Sequence, residues 1–154
     1  MPDFELQLKT SLSSIKKMVD MNIKELEKGI QKGLTQGMAM LEKKAKGIFG
    51  RPGALKVKTG NLKRSIKSSR AKKKAGEIFA TIGSNVEYAP VHEFGAVIRA
   101  KDKPYLVFKG SDGKLRFVKK VIIPKRPFIS LAYTSSRALL RKMIDDAVIK
   151  EIRK

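Results

Sequence analysis

Polar and apolar residues alternate at the start of the chain. Phe4, Leu6 and Leu8 are interleaved with Glu5, Gln7 and Lys9, the period-2 pattern of a strand with one buried face, expected over residues 3–9. Thr10, Ser11, Ser13 and Ser14 follow as candidate N-caps. From Leu12 the spacing becomes helical: Leu12, Ile15, Val19, Ile23, Leu26, Ile30, Leu34, then Met38 or Leu41, Ala45 and Ile48. Steps of three, four and four average about 3.67 residues, the period of a nearly straight helix with a continuous apolar stripe. The expected helix, about residues 12–48, would be roughly 55 Å long, enough to reach past its own domain or to kink. Gly29, Gly33 and Gly37 recur at every fourth position beside that stripe. Each costs about 1 kcal/mol relative to alanine inside a helix. Two readings stay open: the close approach of another backbone, such as a neighbouring subunit's, or a break into two helices.

Gly47, Gly50, Pro52 and Gly53 close the helix and open a loop. A basic loop and short helix are expected over residues 50–75. Thr59-Gly60-Asn61-Leu62-Lys63-Arg64-Ser65-Ile66 reads as the capped short helix with Leu62 and Ile66 inward, and Arg70 to Lys74 reads as partly disordered. Strands are expected at Glu77 to Gly83, Ala96 to Ala100, Tyr105 to Lys109 and Leu115 to Ile123. The last two are joined through Gly110-Ser111-Asp112-Gly113, a strong hairpin signal. Lys101-Asp102-Lys103-Pro104 marks a turn, and Pro124 and Pro127 preclude a central strand after Ile123. A C-terminal helix over 131–152 takes its apolar side from Leu139, Leu140, Met143, Ile144, Ala147, Val148 and Ile152. The pattern predicts an α+β fold in a single domain, 1–154. A long N-terminal helix and a C-terminal helix pack on a mostly antiparallel sheet over 77–123.

Charge adds a partner to this picture. Thirty-five lysines and arginines face 14 acids, a formal +21 over 154 residues. Repulsion on that scale calls for a polyanion or an acidic protein neighbour. No acid lies between Lys43 and Gly76, where Lys56, Lys58, Lys63, Arg64, Lys72, Lys73 and Lys74 fall. None lies between Gly113 and Ile144 either, a tract that includes Lys119 and Lys120. An ordinary solvated surface intersperses both signs, so these tracts are read as polyanion contacts. Aromatics for base stacking are absent from Lys56 to Lys74, which points to phosphates, hence to contact independent of sequence and sensitive to salt. The chain has no cysteine, which fits a reducing compartment. Without a bilayer-length apolar run or a signal core at its N-terminus, it is expected to be soluble and unexported.

The only histidine lies in Tyr88-Ala89-Pro90-Val91-His92-Glu93-Phe94-Gly95. A zinc-protease helix needs a second histidine four residues on, and position 96 is Ala. As a catalytic base His92 would need a nucleophile and an orienting carboxylate, while Glu93, adjacent in an extended segment, would point to the opposite face. The stretch is therefore read as a loop closed by Gly95. Tyr88 and Phe94 would be its anchors and His92-Glu93 a polar contact, within the chain or between subunits. Neither a glycine-rich phosphate loop nor a paired-carboxylate signature occurs, and neither an enzymatic activity, a metal nor a cofactor is expected.

Three elements now stand in order: Thr59-Gly60-Asn61-Leu62-Lys63-Arg64-Ser65-Ile66, Tyr88 to Gly95, and Ile123-Pro124-Lys125-Arg126-Pro127-Phe128-Ile129. Together they resemble the tailed-phage head–tail component, or tail-completion, family and the related Mu-type virion morphogenesis (protein G-like) family. Both carry Thr-Gly-x-Leu-x-x-Ser-Ile, Tyr-Ala-x-x-x-Glu/Gln-Phe-Gly and Arg-Pro-Phe elements. Lys103-Pro104-Tyr105-Leu106 is closer to the Mu-type branch. The positions carried over as structural or assembly residues are Thr59, Gly60, Leu62, Ser65, Tyr88, Ala89, His92, Glu93, Phe94, Gly95, Arg126, Pro127 and Phe128. The resemblance implies a neck or tail-completion subunit, in the virion and beforehand in the host cytoplasm. It would form a homo-oligomeric ring, with other neck and tail proteins as partners and double-stranded DNA in the lumen. The alternative is a sequence-independent nucleic-acid-binding module that contacts phosphates through the basic tracts.

Overall fold

The computed structural model describes the backbone of residues 4–11 together with residues 23–153, positions 102 and 111 excepted. Residues 12–22 of the expected long helix, with Ser13 and Ser14, lie outside the described residues, as do Asp102 and Ser111 of the two expected turns. In order come β1 (Phe4–Ser11), α1 (Ile23–Ile48), α2 (Asn61–Ser65), β2 (Lys67–Ser68), β3 (Lys72–Lys74) and β4 (Glu77–Ser84). They are followed by α3 (Ala89–Phe94), β5 (Ala96–Arg99), β6 (Leu106–Lys109), β7 (Leu115–Val118), β8 (Lys120–Ile123), α4 (Ile129–Thr134) and α5 (Arg137–Ile152). The fold is α+β, and among the described residues every strand pairs antiparallel.

Helix α1 is unbroken. Its stripe of Leu26, Ile30, Leu34, Met38, Leu41, Ala45 and Ile48 is buried, while Ile23 is exposed. Against it lies β4, whose burial alternates along the strand: Ile78, Ala80, Ile82 and Ser84 face inward. Strand β1 pairs along the whole of β4, from Phe4 opposite Ser84 to Ser11 opposite Glu77. On the other side β4 meets β2 and then β3. Arg70 to Lys74, expected to be partly disordered, thus includes a strand, because Ala75 (φ 50) and Gly76 (φ 82) turn the chain back onto β4. Two central residues with positive φ match the twist of a tight hairpin, and Ala-Gly is not among its usual signals. Helix α1 fastens the interruption between β2 and β3. Glu42 accepts bonds from the Ser68 amide (2.7 Å) and hydroxyl (2.8 Å), and Thr35 Oγ1 accepts one from the Ala71 amide (3.0 Å).

The single sheet expected over 77–123 is three. Besides the four-stranded sheet, β5 pairs with β8 and β6 with β7 as separate two-stranded ribbons. The strand expected at Leu115 to Ile123 is divided at Lys119, so its halves take different partners. The expected C-terminal helix is also two, α4 and α5, separated at Ser135 and Ser136. Gly29, Gly33 and Gly37 face α5 of the same chain rather than a neighbouring subunit. A Cβ on Gly29 would stand 2.7 Å from Val148 Cα, and one on Gly33 would stand 2.6 Å from Ile144 Cα. At Gly37 it would meet only the end of the Leu140 side chain. Glu151, nearly buried near the end of α5, draws Lys32 (3.1 Å) and Lys28 (3.5 Å) of α1 to itself.

Two outcomes follow from this packing. Gly33→Ala should destabilise the protein by about 1–3 kcal/mol through forced separation of two backbones, despite a helix-propensity gain of about 1 kcal/mol. Gly37→Ala should cost less, because a side-chain end can rotate away; thermal melts of the two variants check the order. The second concerns Glu42. Its partial burial alone would raise its pKa, but the bonds from Lys46 and Ser68 outweigh that and hold it below 4.5. Glu42→Gln should cost about 1–2 kcal/mol at pH 7. Since the folded carboxyl titrates below its unfolded value, that difference is complete above pH 4.5 and closes as pH falls through the folded value. Urea melts at pH 7 and pH 3 measure it.

Candidate assembly site where three sequence elements converge

Strand β4 ends at Ser84, and three segments distant in sequence meet beside it. The first is the turn into α2. Gly60 sits at φ 75, in the left-handed region open to glycine, and the expected side-chain cap is absent. Instead the Thr59 hydroxyl accepts a long bond from the Asn61 amide (3.4 Å), and Arg64 folds back to donate to Thr59 O (3.1 Å) and Asn61 Oδ1 (2.6 Å). Leu62 and Ile66 are buried. The Ser65 hydroxyl lies 2.7 Å from that of Ser84, whose oxygen also accepts the Val86 amide. Ser65 therefore fixes α2 to the end of β4.

The second segment, expected as a loop, is the helix α3, with Pro90 in its first turn, where its missing N–H costs nothing. Helical geometry changes which side chains are anchors. Ala89 and Glu93 are fully buried, whereas Tyr88 and Phe94 are 44% and 55% exposed. Gly95 ends the helix at φ 78, and a Cβ there would press to 3.1 Å on Ile123 O and Lys125 N. The third segment, Ile123 to Ile129, runs along this corner: the Arg126 amide donates to His92 O (2.8 Å). Glu93 then receives the start of α4. One carboxylate oxygen accepts the amides of Phe128 (2.8 Å) and Ile129 (3.1 Å). The other accepts the Ser130 amide (2.8 Å) and the Ser130 hydroxyl. The first amides of a helix have no partner within it, and here an anion from another element supplies one and meets the positive end of the helix dipole. Phe128, held there, packs its ring 5.1 Å from that of Phe49 at the end of α1.

The convergence leaves a cleft of about 490 Å³ between the turn into α2, α3 and Arg126. Phe49, Leu55, Val57, Leu62 and Tyr88 form its apolar surface, and Lys56, Lys58, Lys63 and Arg126 are its cations. His92 opens onto it, with its ring edge-on to Tyr88 at 5.9 Å. Burial first, and then the neighbouring Arg126, push the imidazole below its ordinary pKa of 6.5 and so favour its neutral form. Glu93 is turned away to α4 and does not orient it. Among the described residues no group of three His, Cys, Asp or Glu could hold a metal ion.

The other expected cations lie elsewhere. Lys72, Lys73 and Lys74 are exposed on β3, with Lys73 paired to Glu27 of α1 at 2.6 Å. Lys119 and Lys120 are exposed between and on β7 and β8. The buried role of Glu93 was missed in the sequence; a signal was present in the acid that precedes Phe94-Gly95 and the Arg126-Pro127-Phe128 entry to a helix without an N-cap of its own.

Residues 7–95, which include the first two of the three converging segments, match the family model described as "Bacteriophage HK97-gp10, putative tail-component". The chain belongs to this HK97 gp10-like family of bacteriophage tail components. Neither a curated protein nor a solved structure matches it. The family match ends at Gly95, before the Lys103 to Leu106 segment on which the expected Mu-type likeness rests. No helix among the described residues is long and apolar enough to cross a membrane. A virion component that works by binding other phage proteins accords with a site built to hold segments together.

Glu93→Gln should cost about 3 kcal/mol, because an amide presents donors to the donors of α4 and removes charge-assisted bonds. That corresponds to roughly 10 °C in melting temperature. His92→Ala should shift the melt far less, since the Arg126 bond is to the backbone carbonyl. Differential scanning calorimetry of both variants tests the contrast.

Proposed function

We propose that this tail component is a tail-completion or neck subunit that assembles as a homo-oligomeric ring and joins tail to head with DNA in its lumen. The observation that carries the reading is the surface of the ribbons between residues 96 and 123. Val97, Ile98, Val107, Phe108, Leu115, Phe117 and Ile122 are each 41–64% exposed there. Apolar exposure on this scale marks a surface that another protein covers. The exposed cations of β3 and of Lys119 and Lys120 suit a lumen or rim facing phosphates without reading bases. A monomeric nucleic-acid-binding module would account for those cations and leave the apolar ribbons without purpose.

Light scattering and negative-stain microscopy, at low and high salt and with purified tail tubes, test the proposal. Closed rings, or density capping tube ends, are expected. Leu115→Ser with Phe117→Ser should abolish either one with little change in the thermal melt, because both side chains are mostly solvent-exposed. A monomer that ignores tubes and coats duplex DNA at low salt would sink the neck reading.

A further inference from the structure

The converging segments do more than hold each other: they leave a cleft whose chemistry specifies an occupant. We propose that the cleft between the turn into α2, α3 and Arg126 binds an acidic peptide segment of another phage protein, with one apolar side chain of the peptide seated against Val57 and Tyr88. The inference rests on the assembly reading only in taking the source of the peptide to be a partner protein.

Three observations carry it. First, Val57 and Tyr88 are 47% and 44% exposed at the cleft although Phe49 and Leu62 beside them are buried. The apolar floor thus continues outward onto surface that only an incoming apolar group would remove from water. Second, Lys56, Lys58, Lys63 and Arg126 line the same cleft, and among the described residues none that lines it is acidic. Four cations converging on an apolar floor favour a ligand that is anionic at its flanks and apolar at its centre. Third, the exposed ribbons of this chain cannot supply it. Arg116, Lys119 and Lys120 accompany Leu115 and Phe117 there, so a second copy docking through its ribbons would bring like charge to the cleft. Duplex DNA meets the charge but keeps its bases stacked and offers no projecting apolar group for a 490 Å³ recess.

The position of the cleft gives occupancy a structural consequence. Its walls come from all three converging segments, so a bound peptide would cross-link them and stiffen the corner from which the ribbons depart at Gly95 and Ile123.

The test uses the purified full chain and a fluorescein-labelled nonapeptide with one central phenylalanine flanked on both sides by aspartates and glutamates. A second peptide carries alanine in place of the phenylalanine, and a 20-base-pair duplex serves as competitor. Because the titration needs neither rings nor tubes, it can succeed or fail independently of the neck reading. The phenylalanine peptide should bind about tenfold or more tightly than its alanine counterpart and should move the resonances of His92, the only imidazole in the chain. Lys58→Glu should weaken binding about tenfold, while Lys150→Glu, exposed on α5, should change it less than about twofold. Val57→Ser, also at an exposed position, should weaken the phenylalanine peptide and leave the alanine peptide unchanged. Equal affinity of the two peptides, equal effects of Lys58→Glu and Lys150→Glu, or no binding would overturn the proposal. So would displacement of the peptide from His92 by the duplex at equal charge concentration, which would assign the cleft to nucleic acid.

Discussion

A carboxylate out of contact with water is stable only if donors replace its hydration shell, and Glu93 finds all of them on one short segment. Removing it would strand the first amides of α4 in the core, and α4 is too short to hold itself together by its own hydrogen bonds. With α4 in place, Phe128 reaches Phe49 and closes the end of α1, and α5 starts from a fixed point. The same helix that delivers Glu93 also delivers His92 O to Arg126 and Gly95 to Ile123. The cleft, the root of the ribbons and the entry to the last helix therefore depend on a single anion in a strongly cationic chain.

The scarcity of acids sharpens this. Glu27 is bonded to Lys73 across 46 positions of sequence, Glu42 to Ser68 across 26, Glu93 to Phe128 across 35 and Glu151 to Lys32 across 119. Each of these carboxylates joins two elements distant in sequence. A chain with net charge +21 pays repulsion wherever its cations approach one another, so anions positioned at element junctions lower that repulsion and direct the packing in one step. Excess positive charge stays on β3, at the cleft and along the ribbons, where an external partner can meet it.

Features set by local periodicity were legible in the sequence. The stripe of α1 from Leu26 to Ile48, the alternation of β4 and the turn between β6 and β7 each follow from spacing along a few residues. Gly29, Gly33 and Gly37 were readable as one face of small residues, but spacing says nothing about which backbone approaches, and that is decided by α5 more than a hundred positions away. The ribbons were harder. Leu115 to Ile123 is continuous in pattern, and only the different partners of its halves, β6 and β5, divide it at Lys119. The reading of His92-Glu93 as extended failed for a related reason. Pro90 and Gly95 look like breakers, yet at the first turn and just past the last residue they are the residues that delimit a helix of six.

At the converging corner the three sequence elements are easier to understand as one object than as three motifs. Gly60 provides a turn that needs positive φ, Ser65 ties that turn to Ser84, Gly95 leaves the third segment room that a Cβ, 3.1 Å from Ile123 O and Lys125 N, would take up, and Glu93 receives that segment's amides. None of these roles contacts a ligand. The residues that do face the cleft, Val57, Lys58, Tyr88, His92 and Arg126, alternate in sequence with the structural ones: Lys58 precedes Thr59, Tyr88 precedes Ala89, His92 precedes Glu93, and Arg126 precedes Pro127 and Phe128. A short helix or tight turn directs successive residues to different sides, so the buried Ala89, Glu93 and Phe128 lie within two positions of residues that reach the cleft. The geometry that secures the core is therefore the same geometry that presents the surface, and a substitution at a tie such as Glu93 or Gly95 must disturb both. A substitution at Lys58 or Val57 alters the surface alone.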